Sequence, residues 1–180
     1  MKNNKMIAMM LTMSMLAAAF AGCLGGDDED DTPDWSISMA SDVSADFVES
    51  AWDPIIPNLN AGDMCDAIIS AMTKTDEREQ AVDFTRAYYT SSQGVIGGSG
   101  AASISEVADL NAAGTTIGVQ SGTTSDLYAQ ENLGAATISA YDDFPSVIAA
   151  LNNGDVHYAM GDAPVLSLEG TLMVTFSDEN

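Results

Sequence analysis

Arg78 is the residue that most needs a chemical reason. The 180-residue chain carries 27 acidic residues against five Lys plus Arg. Arg78 stands in Thr75-Asp76-Glu77-Arg78, where a capping hydroxyl and two acids open a helical pattern. A guanidinium presents a planar fork of donors that matches a carboxylate. The alternative is a surface ion pair with Asp76 or Glu79, which is worth little. A second anion-type pattern is Gly122-Thr123-Thr124, between a strand pattern and a helical one. Free N–H groups and the helix dipole favour an anion there, although an ordinary cap uses the same residue types. Asp162 follows the strand pattern Val156–Met160, at the strand end where open α/β sheets place ligands. Its carboxylate suits a cation, or the N-cap of the helical pattern Ala163–Leu168, or both. Thr73 adds a hydroxyl near Arg78, and Ser70 and Ala71 add backbone carbonyls. Trp52 either lines a site or packs in the core.

Several chemistries are excluded by counting. A formal charge of −22 removes nucleic acid as a partner, because phosphate binding needs clustered Lys and Arg. It disfavours an anionic membrane surface for the same reason. The single histidine, His157, excludes two-His metal motifs and lies near no nucleophile; a structural or surface role is expected. Two cysteines exclude a disulfide scaffold and a multi-Cys zinc site. No cofactor is expected. Gly94, Gly97, Gly98 and Gly100 do not form a phosphate loop ahead of a helix.

The N-terminus reads as a leader. Lys2 and Lys5 precede the uncharged run Met6–Phe20, which has the size of a secretory apolar segment and is short for a bilayer span. Ala19-Phe20-Ala21-Gly22-Cys23 resembles a lipoprotein processing site, with Cys23 as the lipidated first mature residue; Phe20 departs from the usual aliphatic residue. A plain signal peptide with an incidental cysteine is the alternative. Cys65 then reads as a small buried hydrophobe. Gly25–Asp34 is a flexible, self-repelling acidic tether. The expected organisation is residues 1–22 leader, 23–34 tether, 35–90 an incomplete first lobe, 91–103 a hinge or linker, 104–176 a second lobe and 177–180 a tail.

The elements that must position these residues alternate. Strand patterns fall at Trp35–Ala40, Asp46–Ala51, Asp66–Ala71, Thr115–Gln120, Ala136–Ala140, Val156–Met160 and Leu172–Phe176. Helical patterns fall at Trp52–Ala61, Thr75–Phe84, Ser105–Leu110, Thr123–Leu133, Asp143–Asn152 and Ala163–Leu168. Such alternation predicts an α/β fold on a mainly parallel sheet.

The stretch Trp52-Asp53-Pro54-Ile55-Ile56-Pro57-Asn58-Leu59-Asn60-Ala61-Gly62, with Asp66–Arg78, Val82-Asp83-Phe84-Thr85 and Tyr88-Tyr89, resembles the polar-amino-acid solute-binding proteins of ABC importers, extracellular family 3. Ala108-Asp109-Leu110, Ile117–Thr124, Ala149–Asp155 and Asp162 are similar to landmarks of its second lobe. The resemblance covers roughly residues 46–168. It implies a two-lobed periplasmic-binding-protein-like fold, a free amino acid as ligand, importer membrane subunits as partners, no catalysis, and an extracytoplasmic place held to the membrane by a lipid anchor. A receptor that buries an amino acid must satisfy its carboxylate and its ammonium. By resemblance Arg78, Thr73 and the turn Gly122, Thr123, Thr124 hold the carboxylate, Asp162 with Ser70 or Ala71 holds the ammonium, and Trp52 lines the side-chain pocket.

The chain departs from that family in one region. Trp35–Val43 resembles the family's first strand, but a strand pattern follows almost at once, without the expected first helix. The chain also stops at Asn180, near the expected second crossover. The expectation is a shortened member with an incomplete first lobe. A non-binding remnant and a same-fold enzyme such as a dehydratase are the alternatives; the latter needs a dedicated general acid that the sequence does not display.

Overall fold

The apolar segments of the chain form strands in two separate groups. A computed structural model describes residues 6–10, 45–62 and 64–177. It divides into two compact units, Met1–Ser50 with Pro54–Met72, and Ala51–Asp53 with Thr73–Asn180. Both are α/β, as the alternation predicts.

In the first unit β1 (Met6–Met10), β2 (Ala45–Val48) and β3 (Ala67–Ile69) form a parallel sheet in the order β2-β1-β3. The registers are Met6 opposite Ala45 and Ala8 opposite Ala67. Helix α1 (Ile55–Ala61) begins after Pro54 and ends at Gly62, whose φ of 69° makes a left-handed cap. Ile55 and Cys65 are buried, with Ile56, Leu59, Ile68 and Met72 packed against them. Met6–Met10 falls within the apolar run read as a leader. The expected strand Trp35–Ala40 lies outside the described residues, as do the tether and Cys23.

The second unit is a five-stranded mixed sheet in the order β6-β5-β7-β4-β8. Its strands are β4 (Gln93–Gly97), β5 (Thr116–Gln120), β6 (Thr137–Tyr141), β7 (Tyr158–Asp162) and β8 (Leu172–Phe176). β5 pairs parallel with β6 and β7, whereas β4 pairs antiparallel with β7 and β8. The period-2 pleat sends Val95, Ile117, Val119, Tyr158 and Met160 to one core and Ile96 and Ala159 to the other. α3 (Thr124–Asn132) contributes to the first core with Leu110 from the short 3-10 turn Val107–Leu110; α4 (Phe144–Asn153) and α5 (Ala163–Glu169) contribute to the second.

Four of the readings of the sequence that differ from these elements bear on the candidate site and its frame. Residues 91–103, read as a hinge, contain β4, in which Gln93, Gly94, Val95 and Ile96 are all buried. The glycines there serve close approach: a Cβ on Gly94 would lie 2.8 Å from Leu172 Cδ2 and 3.1 Å from the Ala163 Cα. The helix expected over Thr75–Phe84 is one turn, α2 (Asp76–Glu79). None of its residues is buried, so no packed face sustains a longer helix. The strand expected at Val156–Met160 begins two residues later and ends on Asp162. Finally, Thr73–Thr90 and Trp52 group with the second unit, so Arg78 and Asp162 share one unit.

Candidate functional site

Thr75 caps α2, its hydroxyl accepting from the Arg78 N–H at 3.2 Å. This fixes the backbone from which the Arg78 side chain projects. The guanidinium donates from Nη1 to the Thr73 carbonyl at 2.8 Å and from Nη2 to the Gly122 carbonyl at 3.0 Å. Its Cζ stands 5.4 Å from the centre of the Trp52 ring, within cation–π range. Of the two neighbouring acids expected to compete for Arg78, Asp76 and Glu79, Glu79 pairs with Lys74 at 2.8 Å. Arg78, Thr73, Gly122 and Trp52 are therefore one cluster. Trp52 is half-buried and precedes α1 rather than lying on it.

The Gly122 turn is built by its own side chains. Gly122 has φ of 67°, a conformation that favours glycine. A Cβ there would also stand 3.2 Å from Asp53 Oδ1 and 3.6 Å from the Trp52 ring. The Gly122 N–H donates to Asp126 Oδ2 at 3.0 Å, and the Asp126 N–H to Thr123 Oγ1 at 3.3 Å. The Thr123 hydroxyl donates to the Gln120 carbonyl at 2.7 Å. The cap reading of Thr123 is thus realised. For an anion, this turn leaves the first-turn N–H groups of Thr124 and Ser125 and the Thr124 hydroxyl.

Asp162 closes β7 and stands at the N-cap of α5, but its side chain makes no cap hydrogen bond. Instead Asp162 Oδ1 accepts from the Gln93 side-chain amide at 2.8 Å. The same Nε2 donates to Thr124 Oγ1 at 3.1 Å, and Ser125 Oγ donates to Gln93 Oε1. Gln93, Ser125 and Asp126 are buried, and sequence reasoning missed them as site residues. A glutamine between Ser92 and Gly94 gives no periodic signal; the only clue is a polar residue just ahead of the apolar pair Val95-Ile96.

Ser70 and Ala71 belong to the first unit. Among the described residues Ser70 Oγ is the buried side-chain oxygen without a hydrogen-bond partner. Ala71 has φ of 51°, an uncommon conformation for a residue with a Cβ. His157 is exposed, with Nδ1 facing the Thr116 N–H at 3.1 Å and the Thr116 hydroxyl at 2.8 Å, a structural role. Among the described residues no group of three or more His, Cys, Asp or Glu could hold a metal ion, and no helix is long and apolar enough to cross a membrane.

Known proteins align with this chain along much of its length. A probable histidine-binding protein from Neisseria gonorrhoeae is 30% identical over 136 residues, 73% of this chain and 49% of that protein. The ABC transporter arginine-binding protein 1 of Escherichia coli is 34% identical over 67% of this chain and 48% of that protein. The chain spans about half the length of these curated relatives. Among solved structures, an ancestral amino-acid-binding protein described as a precursor of cyclohexadienyl dehydratase superposes with a TM-score of 0.73 at 25% identity, covering 97% of this chain and 79% of that one. An ancestral arginine-binding protein bound to arginine gives 0.74 at 22% identity, covering 96% and 80%, which shows a shared fold. The model for the bacterial extracellular solute-binding proteins, family 3, matches residues 36–140, more than half of the chain. The chain belongs to that family.

Proposed function

We propose that this protein captures a free amino acid outside the cytoplasm and delivers it to the membrane subunits of an ABC importer. The observation that carries the reading is the Arg78 guanidinium, held by the Thr73 and Gly122 carbonyls over Trp52. Fixing a fork donor in advance lowers the entropic cost of binding a carboxylate. The Thr73 hydroxyl, the Thr124 hydroxyl and the first-turn N–H groups of Thr124 and Ser125, in the turn that Gly122 and Thr123 shape, complete the carboxylate's surroundings. Asp162 pairs with the ammonium, and Trp52 faces the ligand side chain. The protein binds and releases; it catalyses nothing. Cys23 carries lipid after removal of residues 1–22, and the acidic segment 23–34 tethers the binding units to the membrane. Equal metabolic lipid labelling of the wild type and Cys23→Ser would overturn the anchor.

The ligand reading is tested by thermal melting against each of the twenty L-amino acids, repeated with Arg78→Ala. A rise in melting temperature with one or a few amino acids, absent in the variant, is expected. A flat panel for the wild type would sink the reading and favour a non-binding remnant.

A further inference from the structure

We infer that Gln93 is a positioning residue of the binding site, which fixes the Asp162 carboxylate for the ligand's ammonium. The inference rests on the reading of Asp162 as the ammonium's partner. Gln93 stands directly opposite Asp162 in the antiparallel register of β4 and β7. Its side chain is 2% exposed, so it cannot turn to water for partners. Each side-chain polar atom is engaged within the protein: Nε2 donates to Asp162 Oδ1 at 2.8 Å and to Thr124 Oγ1 at 3.1 Å, and Oε1 accepts from Ser125 Oγ.

This arrangement has only one workable polarity. A carboxylate can only accept, so the amide must present its NH2 to Asp162. A flipped amide would set Oε1 against the carboxylate and orphan both groups in a buried place. The Ser125 hydroxyl, donating to Oε1, holds the amide in that orientation. Thr124 Oγ1 accepts from Gln93, which leaves its own proton for donation elsewhere; an anion at the Gly122 turn is such an acceptor. One buried amide thus ties the end of β7 to the first turn of α3, the two places where opposite charges of a zwitterion are read. Asp162 makes no side-chain cap to α5, and the hydrogen bond from Gln93 on the paired strand holds its Oδ1 instead.

The test uses the full chain and titration calorimetry, with the twenty L-amino acids as probes. The tightest binder is compared with its deaminated analogue, which has the carboxylate and side chain but no ammonium. Gln93→Met keeps the volume and removes the polarity. It should weaken the amino acid by about tenfold to a hundredfold, the effect of one hydrogen bond to a charged group. That loss should exceed the loss for the deaminated analogue by about tenfold, and it should shrink in an Asp162→Asn background. Gln93→Glu keeps the shape, cannot donate, and sets a second carboxylate against Asp162. It should lose more, and it carries the comparison if Gln93→Met fails to melt cooperatively. Equal losses for both probes, or none, while Asp162→Asn still discriminates between them, would overturn the role of Gln93 alone. If Asp162→Asn leaves both affinities unchanged, or no amino acid binds the wild type, the ammonium reading falls and this inference falls with it.

Discussion

Replacing Arg78 by alanine should separate two quantities that the cluster combines. In the ligand-free protein the side chain makes two hydrogen bonds, at 2.8 Å and 3.0 Å, to carbonyls of Thr73 and Gly122, both open to solvent. Exposed bonds of this kind contribute about 0.5–1 kcal/mol apiece. The guanidinium over Trp52 adds about 0.5 kcal/mol. On these contacts Arg78→Ala should lower ligand-free stability by about 1.5–2.5 kcal/mol. Its effect with ligand is of another size. A buried carboxylate that loses its charged partner costs about 3–5 kcal/mol, roughly a hundredfold to several thousandfold in affinity. With ligand at about a thousand times its dissociation constant, binding stabilises the wild type by about 4 kcal/mol; a thousandfold weaker variant retains about 0.4 kcal/mol. Scanning fluorimetry with and without about 1 mM ligand reads both numbers. A ligand-induced rise in Arg78→Ala equal to that of the wild type would refute the assignment, whatever happens to the ligand-free melting temperature.

Three other expectations follow from local geometry. Asp143 caps α4, accepting from the Ser146 N–H at 2.7 Å, and hydrogen bonds from the Ser146 side chain and backbone hold its carboxyl below the usual value of 3.8. Its contribution is present above about pH 4, the unfolded value, and is lost as pH falls through the lower folded value; melting from pH 6 to pH 3 should lose part of its acid slope in Asp143→Asn, and Asp143→Ala should cost about 1 kcal/mol at pH 7. Burial, then the Asp66 charge, pushes the Cys65 thiol above its ordinary 9.0, so stability is full below about pH 9 and falls as pH rises through the higher folded value; Cys65→Ala should flatten that alkaline fall in a pH series of melts. Ala71→Gly relieves a Cβ held at φ of 51° and should stabilise the first unit by about 0.5–1 kcal/mol in denaturant melts.

The parts of the fold that are legible in the sequence are those whose signals are local. Asp143, Pro145 and Gly154 mark both ends of α4, and the structure uses each as its position suggests: cap, first turn, left-handed end. Leu172–Phe176 alternates and is a strand with those bounds. Thr75 and Thr123 cap the helices they precede. What stayed hidden depends on partners distant in the chain. β4 is rich in glycine, and its strand character follows from Leu172 and Ala163 pressing on Gly94, about 70 residues away. Gln93 acquires meaning only when Asp162 is brought opposite it. α2 carries strong start signals but buries nothing, and start signals alone do not extend a helix. Arg78 is legible as a candidate because its charge is scarce; its contact with the Gly122 carbonyl is not, since that depends on a partner 44 residues away.

The apolar run near the N-terminus meets two demands that cannot both be satisfied in one molecule. As a leader, Met6–Phe20 is recognised and removed. In the folded chain Met6–Met10 is the middle strand of the first unit, paired with Ala45–Val48 on one side and Ala67–Ile69 on the other. The same physics underlies both uses: an uncharged apolar run suits a lipid-like environment and also the middle position of a parallel sheet. Processing at Cys23 would withdraw that strand and leave the N–H and C=O groups of β2 and β3 without their ladder. Small sheets have little burial to offset such a loss. A chain of residues 23–180 should therefore show fast amide exchange at 45–48 and 67–69, whereas strands 93–97 and 116–120 stay protected, because sub-global units open at their own free energies. The same segments should exchange slowly in residues 1–180. If 45–48 and 67–69 remain protected in the shorter chain, the middle position is not the property of Met6–Met10, and the leader and the sheet do not compete.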